Sequence, residues 1–265
     1  VSLSERLREA LAARGADWPA PLHHLETVGS TNDWLKEAAR AASLPEWSAV
    51  VSERQTAGRG RQGHTWVSLP GNLFLSVLLR PRLTGDGALA LPLLAGVAVA
   101  EAAEEMGADV RLKWPNDVVA GGAKLGGILA EGFAAGAGLE GLVIGIGLNL
   151  AVEQDQLPEG LGQPVTSIRG LSGRTPSLVD AAAAVLARMR GWYDALSARG
   201  AAPVLDAWRA RSLPWWGRTV EARAGGAVVR GIARGIDGRG ALLLDLEDGR
   251  RAALVAGEVR EVRPT

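Results

Sequence analysis

The sequence predicts an α+β fold, a mixed or antiparallel sheet flanked by helices, followed by a small all-β unit. Three observations carry this. Apolar and β-branched runs alternate with helical repeats as far as Arg211. Neighbouring runs are joined by turns too short for a parallel crossover, Gly121–Gly122 above all. Beyond Pro214 the helical spacing stops, and strands of roughly five to eight residues are separated by the hairpin signals Gly225–Gly226, Asp237–Gly238 and Asp248–Gly249.

Each element has a local cause. Leu3, Leu7, Ala10 and Leu11 recur at helical spacing, and Gly15 and the Pro19–Pro21 loop end that helix. His23 to Val28 reads as a strand, after which Ser30 or Thr31 caps a helix from about Asn32 to Ala42. Ser48 to Glu53 and Asn72 to Leu79 are predicted strands, and Ala88 to Met106 a helix. Val110, Leu112 and Trp114 alternate with Arg111 and Lys113 as in a half-buried strand stopped by Pro115–Asn116. Asp117–Ala120 and Lys124–Phe133 pair across Gly121–Gly122, and Leu139 to Leu150 follows the glycine-rich turn at 136–138. Leu178, Ala182, Val185, Met189 and Leu196 mark one face of a long helix between Ser177 and Gly200, and a further helix runs from Pro203 to about Arg211. Pro214 sets the expected division, 1–213 and 214–265.

Composition narrows the function. With 265 residues and 47% hydrophobic content the chain can bury a full core. Lysine plus arginine equals aspartate plus glutamate at 29 each, so no net field draws it to nucleic acid or an anionic membrane. The absence of cysteine excludes disulfides, thiolate metal sites and thiol chemistry. No signal pattern opens the chain, and the apolar stretch Ala88–Ala103 is broken by Pro92 and Gly96, so a cytoplasmic protein is expected.

Four stretches could carry chemistry. Gln55–Thr56–Ala57–Gly58–Arg59–Gly60–Arg61–Gln62–Gly63–His64–Thr65–Trp66 joins three glycines to two arginines: glycines let backbone N–H groups approach an anion, and arginine forks bind it. A plain surface turn is the alternative. Gly58-x-Gly60-x-x-Gly63 spells the dinucleotide fingerprint, but a strand follows where that fingerprint needs a helix. Lys113–Trp114–Pro115–Asn116–Asp117 precedes Lys124–Leu125–Gly126–Gly127–Ile128–Leu129, placing a lysine beside paired strand glycines. That lysine either meets a ligand or is solvated over a tight packing contact, and Asn116 and Asp117 also suit an ordinary turn. Ser30–Thr31–Asn32 holds more polar groups than a helix cap needs, and Asn149, after Gly145 and Gly147, either closes its strand or reaches a ligand. Gly-Lys-Ser/Thr, Gly-x-Ser-x-Gly and His-Glu-x-x-His motifs are all missing.

In their order and spacing, these four stretches resemble the biotin–protein ligases, also called biotin–[acetyl-CoA-carboxylase] ligases. The resemblance runs from about His24 to the C-terminus, where Gly235–Ile236–Asp237 and Gly240–Ala241–Leu242–Leu243–Leu244 look like the family's SH3-like barrel. It implies a class II aminoacyl-tRNA synthetase-like catalytic domain at 1–213 and an SH3-like β-barrel at 214–265. It also implies the activity: biotin and ATP are joined as biotinyl-5′-AMP with Mg²⁺ on the phosphates, and biotin then passes to a lysine of the biotin carboxyl carrier protein.

By the same resemblance Lys124, Arg61 and Asp117 are the catalytic residues. Ser30, Thr31, Asn32, Gln55, Arg59, Gly60, Arg61, Trp66, Lys124 and Gly127 surround biotin. Arg59, Arg61, His64, Asn116, Asp117, Lys124 and Asn149 meet ATP, and no metal ligand is assigned. His64 stands where many members carry another arginine, which leaves open the strength of the phosphate grip and its dependence on pH near neutrality. The N-terminal stretch is shorter than the family's DNA-binding module, so operator binding is not expected, whereas a homodimer fits the exposed sheet strands. Two rivals stand beside this reading: a lipoate or octanoate ligase, and a non-catalytic biotin or nucleotide sensor.

Overall fold

The computed structural model describes residues 1–42, 44–81, 89–135, 138–224 and 226–262. Ser2 and Glu5 form a reciprocal capping box at the start of α1 (Leu3–Ala12), whose Leu3, Leu7 and Leu11 face inward. β1 (Leu22–Val28) leads through α2 (Thr31–Ala42) to β2 (Ala49–Gln55), and because a helix joins them these two strands pair in parallel. β3 (Leu73–Leu79), α3 (Leu91–Glu105), β4 (Arg111–Lys113), β5 (Asp117–Ala120), β6 (Ala123–Ala135) and β7 (Gly138–Leu148) follow. The seven strands lie in the order β1-β2-β3-β7-β6-β5-β4, antiparallel apart from the first pair. The mixed sheet is the predicted one.

Strand alternation divides its two faces. Leu73, Leu75, Val77 and Leu79 point with Ile144, Ile146 and Leu148 into the main core. That core also takes in α1, α3, α5 (Leu178–Arg199) and α6 (Ala202–Arg211). α3 is apolar on every side because it lies between the sheet and those helices, with Pro92 in its first turn where a missing N–H does no harm. On the opposite face α2 covers one end only, burying Leu35 and Ala39 against Val50, Leu78, Phe133 and Val143. The uncovered end of that face is the floor of a cleft.

A second, antiparallel sheet is formed by β8 (Thr219–Ala224), β9 (Ala227–Ile236), β10 (Leu242–Leu246), β11 (Arg251–Leu254) and β12 (Glu258–Glu261), in the order β11-β10-β9-β8-β12. Its Val220, Ala222, Ile236, Leu242 and Leu244 join the main core, and hydrogen bonds add to this packing. Trp114 Nε1 donates to Gly240 O at 3.0 Å, and Arg209 donates to Ile236 O at 3.0 Å. Gly240 sits at φ +84°, and a Cβ there would come within 2.5 Å of Leu93, so the turn can approach α3 only as glycine.

Several boundaries differ from the sequence reading. The last sheet strand of the first layer ends at Leu148 rather than Leu150, because the Leu150 N–H is taken by the Asn72 side chain at 2.8 Å instead of a strand neighbour. α3 starts at Leu91, and the expected start at Ala88 lies outside the described residues, as do positions 136 and 137 of the glycine-rich turn and Gly225. The short α4 (Ile168–Ser172) escapes sequence periodicity because one turn and a half shows no repeat. Among the described residues no helix is long and apolar enough to cross a membrane.

Candidate active site

The cleft encloses about 670 Å³, within the range of small-molecule sites. Its floor is a cross-strand row: Asp117 pairs with Gly127, Gly127 with Gly147, and Gly147 with Phe74. The glycines make room for a side chain. A Cβ at Gly147 would lie 2.6 Å from the Trp66 ring and one at Gly127 3.0 Å from it, so the indole rests on bare backbone. Its Nε1 is buried with no hydrogen-bond partner among the described residues. The resemblance places Gly127 beside biotin; in the structure Gly127 both lines the cleft and seats Trp66.

Lys124 enters at a bulge, where β5–β6 pairing shifts register between Val118 and Val119. Its backbone is fixed from the far side, with Lys124 N donating to Pro164 O at 2.8 Å and Thr166 N to Lys124 O at 2.9 Å. Nζ then reaches Asp117 Oδ1 at 2.7 Å, with both side chains mostly buried, and stands 5.4 Å from the Trp66 ring centroid. Asn149 closes its strand: the side chain donates to Thr166 O at 3.1 Å, and its N–H donates to Leu125 O.

The glycine–arginine segment folds back on itself. Trp66 N donates to Gly58 O and Gly60 N to His64 O, so the Gly60 amide serves the loop's own closure. A Cβ at Gly58 would meet Ser68 Oγ at 2.7 Å, and Gly63 follows Gln62 in the left-handed region at the tip. No α-helix opens within the segment, which disposes of the dinucleotide fingerprint. The two arginines diverge. Arg61 lies over Asn116, 3.4 Å from Oδ1; burial lowers its pKa while Asp117 pulls the other way, and a guanidinium remains charged throughout. Arg59 turns to the opposite end, donating to Asp33 Oδ1 at 2.6 Å and Glu131 Oε2 at 2.8 Å.

At that end a polar slot opens beside the N-terminus of α2. Gln55 Oε1 accepts from Thr31 N at 2.9 Å and Thr31 Oγ1 at 3.1 Å, so it serves as a distant cap for the helix. Asn32 lies over Gly145, where a Cβ would collide with Oδ1. Its amide donates to Leu129 O at 3.2 Å and Glu131 Oε2 at 2.7 Å, while the Ser76 hydroxyl is 2.6 Å from its Oδ1 and 2.8 Å from Thr31 Oγ1. Ser30, Gly60, His64, Asn116 and Asn149 also line the cleft, so the four stretches singled out from the sequence meet in one place.

Other residues in the cleft or directly behind its lining escaped the sequence reading. Ser76 had a usable signal, a lone hydroxyl in the apolar run Leu73–Leu79. Glu131 had none, because a strand glutamate is normally a solvated side chain. The 157–165 loop, and Glu221, Arg223, Glu258 and Arg260 of the second sheet, reach the cleft through tertiary contacts alone.

The pattern described as the "Biotin/lipoate A/B protein ligase family" matches residues 25–149, and the "Biotin protein ligase C terminal domain" matches 216–260. The chain is 36% identical to the biotin–[acetyl-CoA-carboxylase] ligase of Paracoccus denitrificans over 89% of this chain and 98% of that one. It is 38% identical to the enzyme of the same name from Mycobacterium tuberculosis over 98% and 96%. Among solved structures, the biotin protein ligase of Aquifex aeolicus in complex with biotin and ATP aligns over 91% of this chain and 99% of that one, with TM-score 0.78 and 28% identity.

Proposed function

The chain belongs to the Biotin/lipoate A/B protein ligase family, and from that premise we propose how its cleft works as a biotin–[acetyl-CoA-carboxylase] ligase. The enzyme joins biotin to ATP and passes the biotinyl group to the biotin carboxyl carrier protein of acetyl-CoA carboxylase. One observation carries the residue assignment: Lys124 Nζ stands on the cleft floor between Asp117 and Trp66, while Arg61 reaches Asn116, the neighbour of Asp117.

The first half-reaction brings two anions together. A biotin carboxylate oxygen attacks the α-phosphorus of ATP, the bond to the bridging oxygen breaks, and pyrophosphate leaves with that electron pair. Lys124 supplies a cation where the carboxylate and α-phosphate meet, and Arg61 supplies a second against the phosphates. No side chain acts as nucleophile. Ser30, Thr31, Asn32 and Gln55 form the end for the uncharged ureido ring, with Gly60, Arg59 and Gly127 shaping the slot and Trp66 its wall. Asn32 acts mostly by shape, because both of its amide protons are already engaged. Asn116, Asp117, His64 and Asn149 lie on the nucleotide side, Asn149 acting through the Lys124 backbone.

Mg²⁺ belongs to this reading as an ion carried on the triphosphate. Among the described residues no cluster of three or more His, Asp or Glu side chains converges for a metal, and Mg²⁺ on nucleotides takes most of its ligands from phosphate and water. Asp117 is the carboxylate nearest to hand.

In the second half-reaction the carrier's lysine ε-amine attacks the acyl carbon and AMP leaves. Asp117 orients the amine and accepts its proton. Glu221, Arg223, Glu258 and Arg260 at the cleft mouth suit 214–265 as the unit that meets the carrier, with 1–213 as the catalytic domain. β1 pairs on one side only, an edge on which a homodimer can form. The protein works as a cytoplasmic enzyme in this reading.

The test is direct. ATP, Mg²⁺ and biotin should yield biotinyl-AMP on the protein, and lipoate in place of biotin should yield none. Adenylate from lipoate alone would move the enzyme to the rival branch of its family, and none from either acid would make it a sensor.

A further inference from the structure

Glu131 is a carboxylate that touches both halves of the cleft's polar end, Asn32 and Arg59. Its Oε2 accepts from the Asn32 amide at 2.7 Å and from Arg59 at 2.8 Å, and its Oε1 faces Lys36 Nζ at 3.3 Å. Asp33 Oδ1 completes a ring of two cations and two anions, 2.6 Å from Arg59 and 3.0 Å from Lys36. The ring is not an ordinary surface pair: the Glu131 and Lys36 side chains are 20% and 15% exposed, so their interaction escapes much of the solvent screening.

What Glu131 joins gives the ring its interest. Asn32 is packed over Gly145 and hydrogen-bonded through Ser76 to Thr31, so it fixes the shape of the slot. Arg59 lies in the glycine–arginine segment, between Gly58 and Gly60, whose backbone bonds to Trp66 and His64 close the loop. Burial pushes the Glu131 carboxyl up, but the Asn32 amide, Lys36 and Arg59 together hold it below the usual glutamate value, so it is ionised in use.

We propose that Glu131 is a positioning residue that latches the glycine–arginine segment to the biotin slot, so that the wall of the slot and the cover over the adenylate are set by one side chain. The proposal rests on the adenylation reading for its functional consequence. Its structural half is independent of that reading.

Two substitutions separate its two contacts. Glu131→Gln keeps an acceptor for Asn32 but removes the charge that holds Arg59, whereas Glu131→Ala removes both. Asp33→Asn weakens the hold on Arg59 without touching Asn32. Hydrogen exchange in the ligand-free protein reads the latch itself: the Gly60 and Trp66 amides should exchange about tenfold faster in Glu131→Gln and Asp33→Asn, with core amides unchanged. Turnover reads the consequence. Both variants should release biotinyl-AMP about tenfold faster with the biotin KM near the parent's, and Glu131→Ala should raise that KM about tenfold as well.

Unchanged exchange at Gly60 and Trp66 in both charge-removing variants overturns the proposal. So does a Glu131→Gln variant that raises KM as much as Glu131→Ala does, because the split between the two contacts would then not exist. Failure of the parent to make biotinyl-AMP would sink the adenylation reading instead, and the exchange result would still decide the latch.

Discussion

Lys124 Nζ and Asp117 Oδ1 are 2.7 Å apart on strands β6 and β5, and the pair is brought together by the register shift that follows Val118. In the proposed mechanism, the lysine that meets two approaching anions is held by a carboxylate until they arrive. Removing either residue leaves the other's charge unpaired in a largely enclosed cleft, which costs stability.

Lys124→Ala should lower biotin-dependent pyrophosphate release by about 10²-fold or more, the usual effect of removing one preorganised donor. Asp117→Ala should instead spare much of the first step and slow transfer to the carrier. Each variant should also lose about 1.5–3 kcal/mol in denaturant unfolding, the range for hydrogen bonds to charged groups. Lys124→Ala with the parent rate would remove it from the mechanism.

Arg61→Gly is expected to form the adenylate yet release it, because in the proposed mechanism the guanidinium over Asn116 closes the nucleotide end. Labelled biotinyl-AMP in the filtrate of a spin column measures this. Retention equal to the parent's would assign closure to Arg59 and its ring of charges.

Gly147→Ala tests the seat of Trp66. A methyl group 2.6 Å from the indole forces the ring off the cleft floor, an overpacking event costing about 1–3 kcal/mol. Thermal unfolding should fall accordingly and the biotin KM should rise, while Gly162→Ala, whose Cβ would meet nothing within 4 Å, serves as the control for stability.

Acid should unfold the protein partly through Glu131 and Glu105. Burial raises both carboxyls, but Asn32, Lys36 and Arg59 for the first, and Arg14 and Arg188 for the second, bring each below its ordinary value of 4.5. A folded pKa below the unfolded one gives stability that is complete above the unfolded value and is lost as pH falls through the folded one. Melting temperature should therefore be flat near neutrality and drop below about pH 4.5, with a shallower drop in a Glu105→Gln, Glu131→Gln double variant. Identical profiles in variant and parent would refute the assignment.

Biotin should raise the melting temperature in proportion to the logarithm of its concentration, as any ligand that binds only the folded state does. Lipoate at equal concentration should leave it unchanged.

Much of this was legible in the sequence because its causes are local. The first helix with its Leu3, Leu7 and Leu11 spacing, the long face of α5, and the hairpin at Gly121–Gly122 each follow from residues within a turn or two of one another. The order of the four polar and glycine-rich stretches carried the resemblance to the biotin–protein ligases, and the structure brings the four together in one cleft. What the sequence could not supply was the assignment of each group to its partner. It gave no sign that Gly127 and Gly147 seat Trp66; it paired Arg59 with Arg61, whereas the loop sends them to opposite ends; and it had no reason to notice Glu131. Those facts depend on strand register and on which face of the sheet α2 leaves bare. Register and face are fixed by contacts between residues tens of positions apart, and periodicity along the chain carries no record of them.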